Sequence, residues 1–243
     1  MALLLLGCFI LLSLPQTVNA AAQATILSHS SYLDSLGYYT VVGEVQNTGD
    51  MHLRFVKISA TFYDSADHVV DTSLTYSGLE VLLVGRKSPF KVLLYDAQQS
   101  AKVDHYHLEV EYDISEFGKP EGLQIVSSSS YVDILDWMHV VGEIGNIGVY
   151  PTTWVKVYAT FYDTAGKVID YGFDYTNPHD LNVGEKASFE ILLVSERASL
   201  VDSYELTAES DQYAIVPEFP SVIIALLSMI TVMAMIVFKK KNK

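Results

Sequence analysis

Apolar and polar residues alternate with a period of two along much of this chain. The clearest case is the segment 55–63, where apolar residues take every second position, namely Val56, Ile58, Ala60 and Phe62. Successive side chains of a β-strand point to opposite faces of a sheet, so this alternation predicts a half-buried strand. Similar runs, separated by clusters of turn residues, lie at 26–32, 38–45, 69–74, 90–95 and 106–111. The pattern therefore predicts six or seven short strands within about 95 residues.

The same pattern occurs twice. Residues 31–94 align with residues 130–193 without a gap, and 28 of the 64 aligned positions are identical. The shared motifs are Val-Gly-Glu, Asn-x-Gly, Ala-Thr-Phe-Tyr-Asp and Val-Gly, which begin in the first copy at 42, 47, 60 and 84 and return 99 residues later. A unit of about 95 residues is too long for a solenoid repeat and suits an independent domain.

These observations predict an all-β fold of two tandem antiparallel immunoglobulin-like β-sandwiches. We place domain 1 at 21–113, a linker at 114–122 and domain 2 at 123–214. The linker contains Pro120 and two glycines, which interrupt the alternation. Each sandwich must be stable without an internal disulfide, because neither domain contains a cysteine.

Glycine and asparagine are expected to provide positive φ angles at turns. We predict such angles for Asn47-Thr48-Gly49 and Asn146-Ile147-Gly148, where strands end, and for Ala165-Gly166-Lys167 in a hairpin. A phosphate-binding loop would instead need a glycine-rich segment that opens a helix. These residues are therefore interpreted as parts of the fold.

Both ends of the chain carry targeting signals. Residues 2–14 are almost entirely apolar but too few to cross a bilayer, and a small-x-small pattern follows at Val18-Asn19-Ala20. We therefore predict a signal peptide at 1–20, cleaved after Ala20. Residues 221–238 are uncharged and would span about 27 Å as a helix, which predicts a transmembrane helix. The basic tail at 239–243 predicts a cytoplasmic C-terminus, with the two domains outside the cell.

A short motif at 215–220 precedes the predicted span. Pro217, Glu218, Phe219 and Pro220, followed by an apolar stretch and lysines, resemble the archaeal PEF-type C-terminal sorting signals. The resemblance implies cleavage near the motif by an archaeosortase-like enzyme and transfer to a surface anchor. An ordinary membrane anchor with a proline-stiffened stalk is the alternative. Both interpretations predict a cell-membrane protein with an extracellular ectodomain and, before any processing, a cytoplasmic C-terminus.

The repeated motifs also resemble a domain family. A strand that ends in Val-Gly-Glu-Val-x-Asn-x-Gly, followed by one that ends in Phe-Tyr-Asp, is similar to the FxLYD-type and related cell-adhesion-like sandwich domains of archaeal and bacterial surface proteins. Tyr63 and Tyr162 match the family motif, whereas Ala60 and Ala159 stand where the motif has phenylalanine. The resemblance implies the sandwich fold and no catalytic residues.

The composition of the chain argues against several classes of function. The chain has 15 Lys plus Arg against 29 Asp plus Glu, a net charge of -14, which argues against a nucleic-acid partner because phosphate contacts need a basic surface. The only cysteine, Cys8, lies in the predicted signal peptide, so no cysteine nucleophile or thiolate metal site is expected. The run Ser127 to Ser130 lies in no nucleophile elbow. We predict no enzymatic activity, no catalytic residue and no cofactor.

Two groups of residues could bind a metal. His105 and His107 share one face of a strand, but the second copy has Ser203 and Glu205 at the equivalent positions, which favours solvent-exposed histidines. Three acidic residues flank a predicted hairpin, and a turn function is favoured over calcium binding because aspartates at turns usually bond their own backbone; they are Asp64, Asp67 and Asp71. No metal ligand is assigned.

The sequence therefore predicts a non-enzymatic archaeal cell-surface protein that displays two β-sandwich domains for envelope structure, adhesion or protein interaction. The alternative is a membrane-anchored accessory protein that binds a solute, a glycan or Ca2+. The 16 tyrosines could form a glycan-binding face, although tyrosine more often fills half-buried strand positions. The expected partners are the membrane, an archaeosortase-like enzyme and other envelope proteins or glycans.

Overall fold

The computed structural model describes residues 21–194 and 196–217. Each copy contributes seven strands to this part of the chain. The first copy forms β1 (Ala24–Leu33), β2 (Tyr39–Asn47), β3 (His52–Tyr63), β4 (Val69–Tyr76), β5 (Val81–Leu82), β6 (Lys87–Leu94) and β7 (His105–Ser115). The second forms β8 (Glu121–Val132), β9 (Met138–Asn146), β10 (Lys156–Tyr162), β11 (Val168–Tyr175), β12 (Lys186–Leu193), β13 (Ser203–Glu209) and β14 (Ala214–Ile215). One helical turn, α1 (Ala97–Ser100), and one 3-10 helix (Glu196–Leu200) complete the elements.

Domain 1 is a two-layer sandwich. Its first sheet has the order β1-β2-β6, and in its second sheet β3 pairs with β4, β5 and β7. All of these pairs are antiparallel. The two layers bury a common apolar core that includes Val41 and Phe90 from the first sheet and Ile58 and Phe62 from the second. The prediction of an all-β chain with antiparallel sheets is confirmed.

Domain 2 repeats this arrangement with one addition. Strands β8-β9-β12 correspond to β1-β2-β6, and β11-β10-β13 correspond to β4-β3-β7. The short strand β14 pairs antiparallel with β13 and parallel with β8, so it joins the two layers along one edge. The interior is again apolar and contains Val140, Phe161, Phe189 and Ile191. Domain 2 is therefore a sandwich that is closed along the edge where the chain leaves.

The Val-Gly-Glu motif is explained by packing across strands. Gly43 on β2 lies opposite Phe90 on β6, and a Cβ atom at Gly43 would lie 2.4 Å from the phenyl ring. Gly142 and Phe189 form the same pair in domain 2, with a corresponding distance of 2.6 Å. The ring fills the space above the glycine, so the two residues are required together.

The Asn-x-Gly motif has a different function from the predicted one. Positive φ angles in this part of the fold occur at Gly85 and Gly184, not in the segments 47–49 and 146–148, so the prediction for those segments is wrong. Asn47 instead lies fully buried, and its side-chain amide donates to the carbonyl oxygens of Met51 and Leu82 at 2.8 and 2.9 Å. Buried carbonyl groups must be satisfied, which explains a buried asparagine at this position.

The hairpin prediction for the second copy is confirmed. Gly166 has a φ of 72°, and Asp67 takes the same place in domain 1 with a φ of 61°. Between the domains, β7 continues to Ser115 and β8 begins at Glu121. The connection is thus limited to residues 116–120 and is shorter than the predicted linker at 114–122.

In each domain the strands run between two ends. We call basal the ends that carry the loops 48–51, 77–86 and 116–120 in domain 1 and 147–155 and 210–213 in domain 2, and apical the ends with the hairpin turns 34–38, 64–68, 133–137 and 163–167. The two apical ends do not coincide, because Val168, just after the turn 163–167, donates its amide to Ser28 in the middle of β1 (2.9 Å). Arg86 donates to the carbonyl oxygen of Ile215 (2.8 Å), and Tyr32 donates to Asp170 (3.1 Å). Ala21 lies at the basal end of domain 1 beside Asp50, whereas β14 runs parallel to β8 and carries the chain past Leu123 toward the middle of domain 2.

Candidate functional site

Most of the predicted targeting residues lie outside the described part of the chain. This applies to the signal peptide with Ala20, to Glu218, Phe219 and Pro220, and to the predicted span and basic tail. Pro217 is the last described residue and is exposed. Within residues 21–194 and 196–217, no helix is long and apolar enough to cross a membrane.

The two strand histidines do not converge on a common ligand. The His105 ring stacks on Tyr63, with ring centroids 5.1 Å apart, and its nitrogens lie 3.2 Å from Asp104 and 3.4 Å from Asp67. His107 is exposed, and its nearest acidic partner is Glu109 at 3.9 Å. In the described residues, no three His, Cys, Asp or Glu side chains are grouped as a metal site.

The aspartate of the Phe-Tyr-Asp motif closes the following hairpin turn. Asp64 accepts from the backbone amides of Ala66 and His68 at 2.8 and 2.9 Å. Asp163 makes the same two bonds in domain 2, both at 2.9 Å. Donation from His68 and Ala66 lowers the pKa of Asp64 below its usual value. The turn interpretation therefore accounts for this residue in both copies.

The two domains are in contact through a surface that contains several buried charged groups. The outer face of β1-β2-β6 packs against the outer face of β11-β10-β13. We call this contact the domain interface. Its apolar centre consists of Val42, Tyr162 and Val168, with Tyr32 packed against them. Around this centre lie three buried carboxylates, each paired with a lysine.

The first carboxylate is Asp170 on β11, which is 2% exposed. Lys91 of domain 1 approaches it to 2.6 Å, and the Tyr32 hydroxyl donates to its second oxygen. Burial, followed by the Asp170 charge, raises the pKa of Tyr32 above its ordinary value. Because two domain 1 residues satisfy this domain 2 carboxylate, separating the domains would leave it without its partners.

The second carboxylate is Glu44 on β2, which is 4% exposed. The Tyr162 hydroxyl of domain 2 donates to it at 2.7 Å, and Lys87 lies 3.4 Å away. Lys87 also contacts Glu205 of domain 2 at 2.5 Å, so one lysine joins carboxylates from both domains. Burial raises the pKa of Glu44, although Tyr162 and Lys87 oppose this effect.

The third carboxylate, Glu209 on β13, lies near the basal end of domain 2. Lys119 of the connecting segment lies 3.1 Å from Glu209 and 2.9 Å from Glu80. The backbone amide of Glu80 also donates to Glu209 at 2.8 Å. Close by, Tyr158 packs in the core cluster of domain 1 and its hydroxyl donates to the carbonyl oxygen of Gly78. The connection between the domains is thus held in place by ion pairs and by an inserted tyrosine.

An open cleft of about 590 Å³ lies beside the interface. Its lining includes Glu44, Lys87, Thr160, Tyr204 and Glu205. The lining is mixed, with Pro89, Leu206 and Ile215 beside these polar residues, and Lys87 lies between the carboxylates of Glu44 and Glu205.

The apical ends expose apolar side chains on two equivalent hairpins. Leu36 in domain 1 and Ile134 and Leu135 in domain 2 lie in the β1–β2 and β8–β9 turns. Ile134 is 99% exposed. The turns are closed by Asp34 and Asp133, each of which accepts from two backbone amides. Exposed side chains on rigid turns are suited to contact a partner.

The sequence analysis did not identify the interface residues. A signal was present, however, in the positions where the two copies differ. Lys91 aligns with Glu190, Tyr158 with Ser59, and Glu205 with His107. These changes of charge and size affect outward-facing strand positions, and in the structure Lys91, Tyr158 and Glu205 all lie in the domain interface.

Comparisons of the chain with known proteins identify no close relative. No family model matches it, and no curated protein matches it. Among solved structures, a transglutaminase of red sea bream is similar with a TM-score of 0.27 and 9% identity over 82% of this chain and 31% of that one.

Two further similarities are to sugar-processing enzymes. The exo-chitosanase CsxA of Amycolatopsis orientalis has a TM-score of 0.28 and 11% identity over 79% of this chain and 26% of that one. A β-glucuronidase of glycoside hydrolase family 2 has a TM-score of 0.30 and 10% identity over 74% of this chain and 23% of that one. The chain thus spans less than a third of each of these proteins. Similarity at this level says nothing about activity, substrate or partner.

Proposed function

We propose that this chain is a non-enzymatic archaeal cell-surface protein that displays two immunoglobulin-like domains as one rigid block. The domain interface is the observation that carries this proposal. Three carboxylates lose their water there, and each has at least one partner from outside its own domain, namely Lys91 for Asp170, Tyr162 for Glu44, and Lys119 of the connecting segment for Glu209. A block of this kind positions its surface loops relative to one another, which is what a structural, adhesive or protein-interaction module requires.

The sequence beyond the described residues supports display at a surface. From Pro217 the chain continues into the motif and the apolar segment found in the sequence. An anchor at 221–238 holds the block outside the membrane, and the exposed hairpin side chains of Leu36, Ile134 and Leu135 are surfaces suited to meet a partner.

Impermeant thiol labelling on intact cells tests the proposal. Cys8 lies in the predicted signal peptide, so a processed chain provides a cysteine-free background. We expect Ile134→Cys to react on intact cells, whereas Val42→Cys, which lies in the closed interface, reacts only after unfolding. If Ile134→Cys reacts only after lysis, surface display is wrong. If Val42→Cys reacts as fast as Ile134→Cys in the native protein, the rigid block is wrong.

Mass spectrometry of the native protein separates the two modes of anchoring. A sorting signal predicts a mature chain that ends near Pro217 to Pro220. Recovery of an intact Lys243 would leave the simple transmembrane anchor. In either case the block remains attached through the chain that follows domain 2.

A further inference from the structure

The outer face of β8-β9-β12 in domain 2 is open to solvent in the described structure. It is the counterpart of the β1-β2-β6 face that domain 1 buries in the domain interface. Tyr131 on β8 is 50% exposed, and the side chain of Glu190 on β12 is 56% exposed. We call this surface the free face. One of two equivalent sheet faces is thus covered by a domain, and the other is uncovered.

The free face carries almost the same side chains as the covered face of domain 1. Seven outward-facing residues of β1, β2 and β6 contact domain 2. Six of them return unchanged 99 positions later, on the free face; they are Ser28, Ser30, Tyr32, Val42, Glu44 and Lys87. The strand register is also the same, because β1 and β8 have their bulge at equivalent positions. The free face therefore offers the same hydroxyl groups and the same apolar centre in the same arrangement.

The seventh position reverses the charge. Lys91, which lies 2.6 Å from Asp170 in the domain interface, returns as Glu190. A ring nitrogen of His139 lies 2.7 Å from Glu190, and this ring stacks on Tyr131 with centroids 4.6 Å apart. The carboxylate is thus held on the free face at the place where domain 1 presents a lysine.

The surroundings of Glu190 are acidic as well. An open groove of about 780 Å³ crosses the free face, and its charged lining consists of Glu143, Asp174 and Glu190. Opposite charges across an interface favour association, and like charges oppose it. A partner that fits this face therefore carries a basic group where domain 2 presents Asp170 to domain 1.

We propose that the free face docks a further β-sandwich domain, supplied by another chain, that carries a lysine or arginine at the position of Asp170. The partner packs the face equivalent to β11-β10-β13 on β8-β9-β12, as domain 2 packs on domain 1. A second copy of this chain is a poorer fit, because its β4-β3-β7 face would bring Asp71 to Glu190. The inference deepens the proposed interaction function and rests on the rigid block, but not on the membrane anchor.

A variant of this chain provides the probe partner. The β4-β3-β7 face of domain 1 has Tyr63 and Val69 at the positions of Tyr162 and Val168, which form the apolar centre of the domain interface. Asp71→Lys adds the basic residue to this face. The variant thus presents the proposed partner surface, and its domain 2 presents the unchanged free face to a second molecule.

The experiment uses the full chain in detergent micelles near neutral pH, with isotope-labelled and unlabelled Asp71→Lys molecules mixed in equal amounts. A carbodiimide condenses a carboxylate with an amine that it contacts. We expect it to join position 71 of one molecule to Glu190 of another, which mass spectrometry detects as a labelled peptide linked to an unlabelled one.

Two valine substitutions in this background test whether the free face makes the contact. Val141→Asp puts a carboxylate at the apolar centre, and we expect it to lower the yield of the mixed product at least about fivefold, because burying an unpaired charge is costly. Val149→Asp is the matched control at an exposed loop position and should leave the yield unchanged. If Asp71→Lys does not fold, Glu190→Lys provides the same pair with the charges exchanged, because it brings an amine to Asp71 of a second molecule.

A link within each molecule separates failure of docking from failure of the rigid block. Lys87 of domain 1 and Glu205 of domain 2 are 2.5 Å apart, so the reagent should join them in every variant. Absence of this product would contradict the rigid block. If it forms and neither charge variant gives a mixed product, docking at the free face is wrong. If the wild-type chain gives mixed products between the free face and β4-β3-β7, the partner is a second copy and the requirement for a basic residue is wrong.

Discussion

The two domains have the same fold but use opposite faces in their contact. Domain 2 buries the outer face of β11-β10-β13, whereas the equivalent face of domain 1, on β4-β3-β7, is open to solvent. Thus Tyr162 is 8% exposed, while its counterpart Tyr63 is only half-buried and stacks on His105. Identical fold positions can therefore carry different functions when a duplication places them in different surroundings.

The two domains also differ in charge, and these differences again separate the faces that meet from the equivalent faces that are exposed. Lys91 on β6 approaches the buried Asp170, but the equivalent residue on β12 is Glu190, whose side chain is 56% exposed. A repeat of this head-to-tail contact between two molecules would place Glu190 beside Asp71, the counterpart of Asp170. Like charges would oppose that approach.

The substitution with the largest expected effect gives domain 1 the residue that domain 2 has at the position equivalent to Lys91, which is Glu190. Lys91→Glu would place two carboxylates together in the buried part of the interface. We expect a loss of about 3 to 5 kcal/mol in the free energy of unfolding, as when a buried ion pair loses one partner. Denaturant unfolding measures this loss, and a single transition should become two as the domains separate.

The matched control is the reverse change in domain 2. Glu190→Lys removes an exposed contact with His139 at 2.7 Å and should alter stability by no more than about 1 kcal/mol. Equal effects of the two substitutions would contradict the division between a buried and a free face.

A smaller change tests one hydrogen bond. Tyr162→Phe removes the donor to the buried Glu44, and we expect a loss of about 1.5 to 3 kcal/mol because the bond is to a charged group. Tyr63→Phe, at the equivalent exposed position, should cost less than about 0.5 kcal/mol. Chemical denaturation gives the free energy of unfolding of each variant. A loss below about 0.5 kcal/mol for both variants, as expected of surface sites, would mean that the bond from Tyr162 to Glu44 does not stabilise the interface.

The smallest expected effect is on the pH dependence of the free energy of unfolding. Burial raises the pKa of Glu209 above its usual value, although Lys119 opposes this effect. The folded state therefore binds this proton more tightly than the unfolded state, so the contribution to stability is full below the unfolded pKa of about 4.3 and declines as pH rises through the folded pKa. Glu209→Gln should reduce that decline, measured as the unfolding free energy of variant and wild type between pH 4 and 7.

Glu111 is the control for this titration. It is the domain 1 counterpart of Glu209 and is exposed, with Lys57 as its partner. Glu111→Gln is measured over the same pH range as the matched substitution at an exposed position. A change as large as that of Glu209→Gln would mean that burial is not its cause.

Local patterns in the sequence were sufficient to predict the strands and several of the turns. The alternation at 55–63 predicted β3, and the Phe-Tyr-Asp motif predicted a hairpin that Asp64 and Asp163 close. These features depend on residues near one another in the chain, so their physical basis is visible in the sequence. The glycines at 49 and 148 were misinterpreted because the groups that exclude a side chain there, such as the Tyr213 ring against Gly148, come from distant parts of the chain.

The sequence by itself determined the duplication, the all-β class and the strand positions, because each depends on periodicity and short-range motifs. Only the tertiary structure decided which faces meet, since Lys91 and Asp170 are 79 positions apart and nothing local indicates that they pair. It also decided which carboxylates are buried. Burial and orientation arise from the packing of whole sheets, and a linear pattern of residues does not contain that packing.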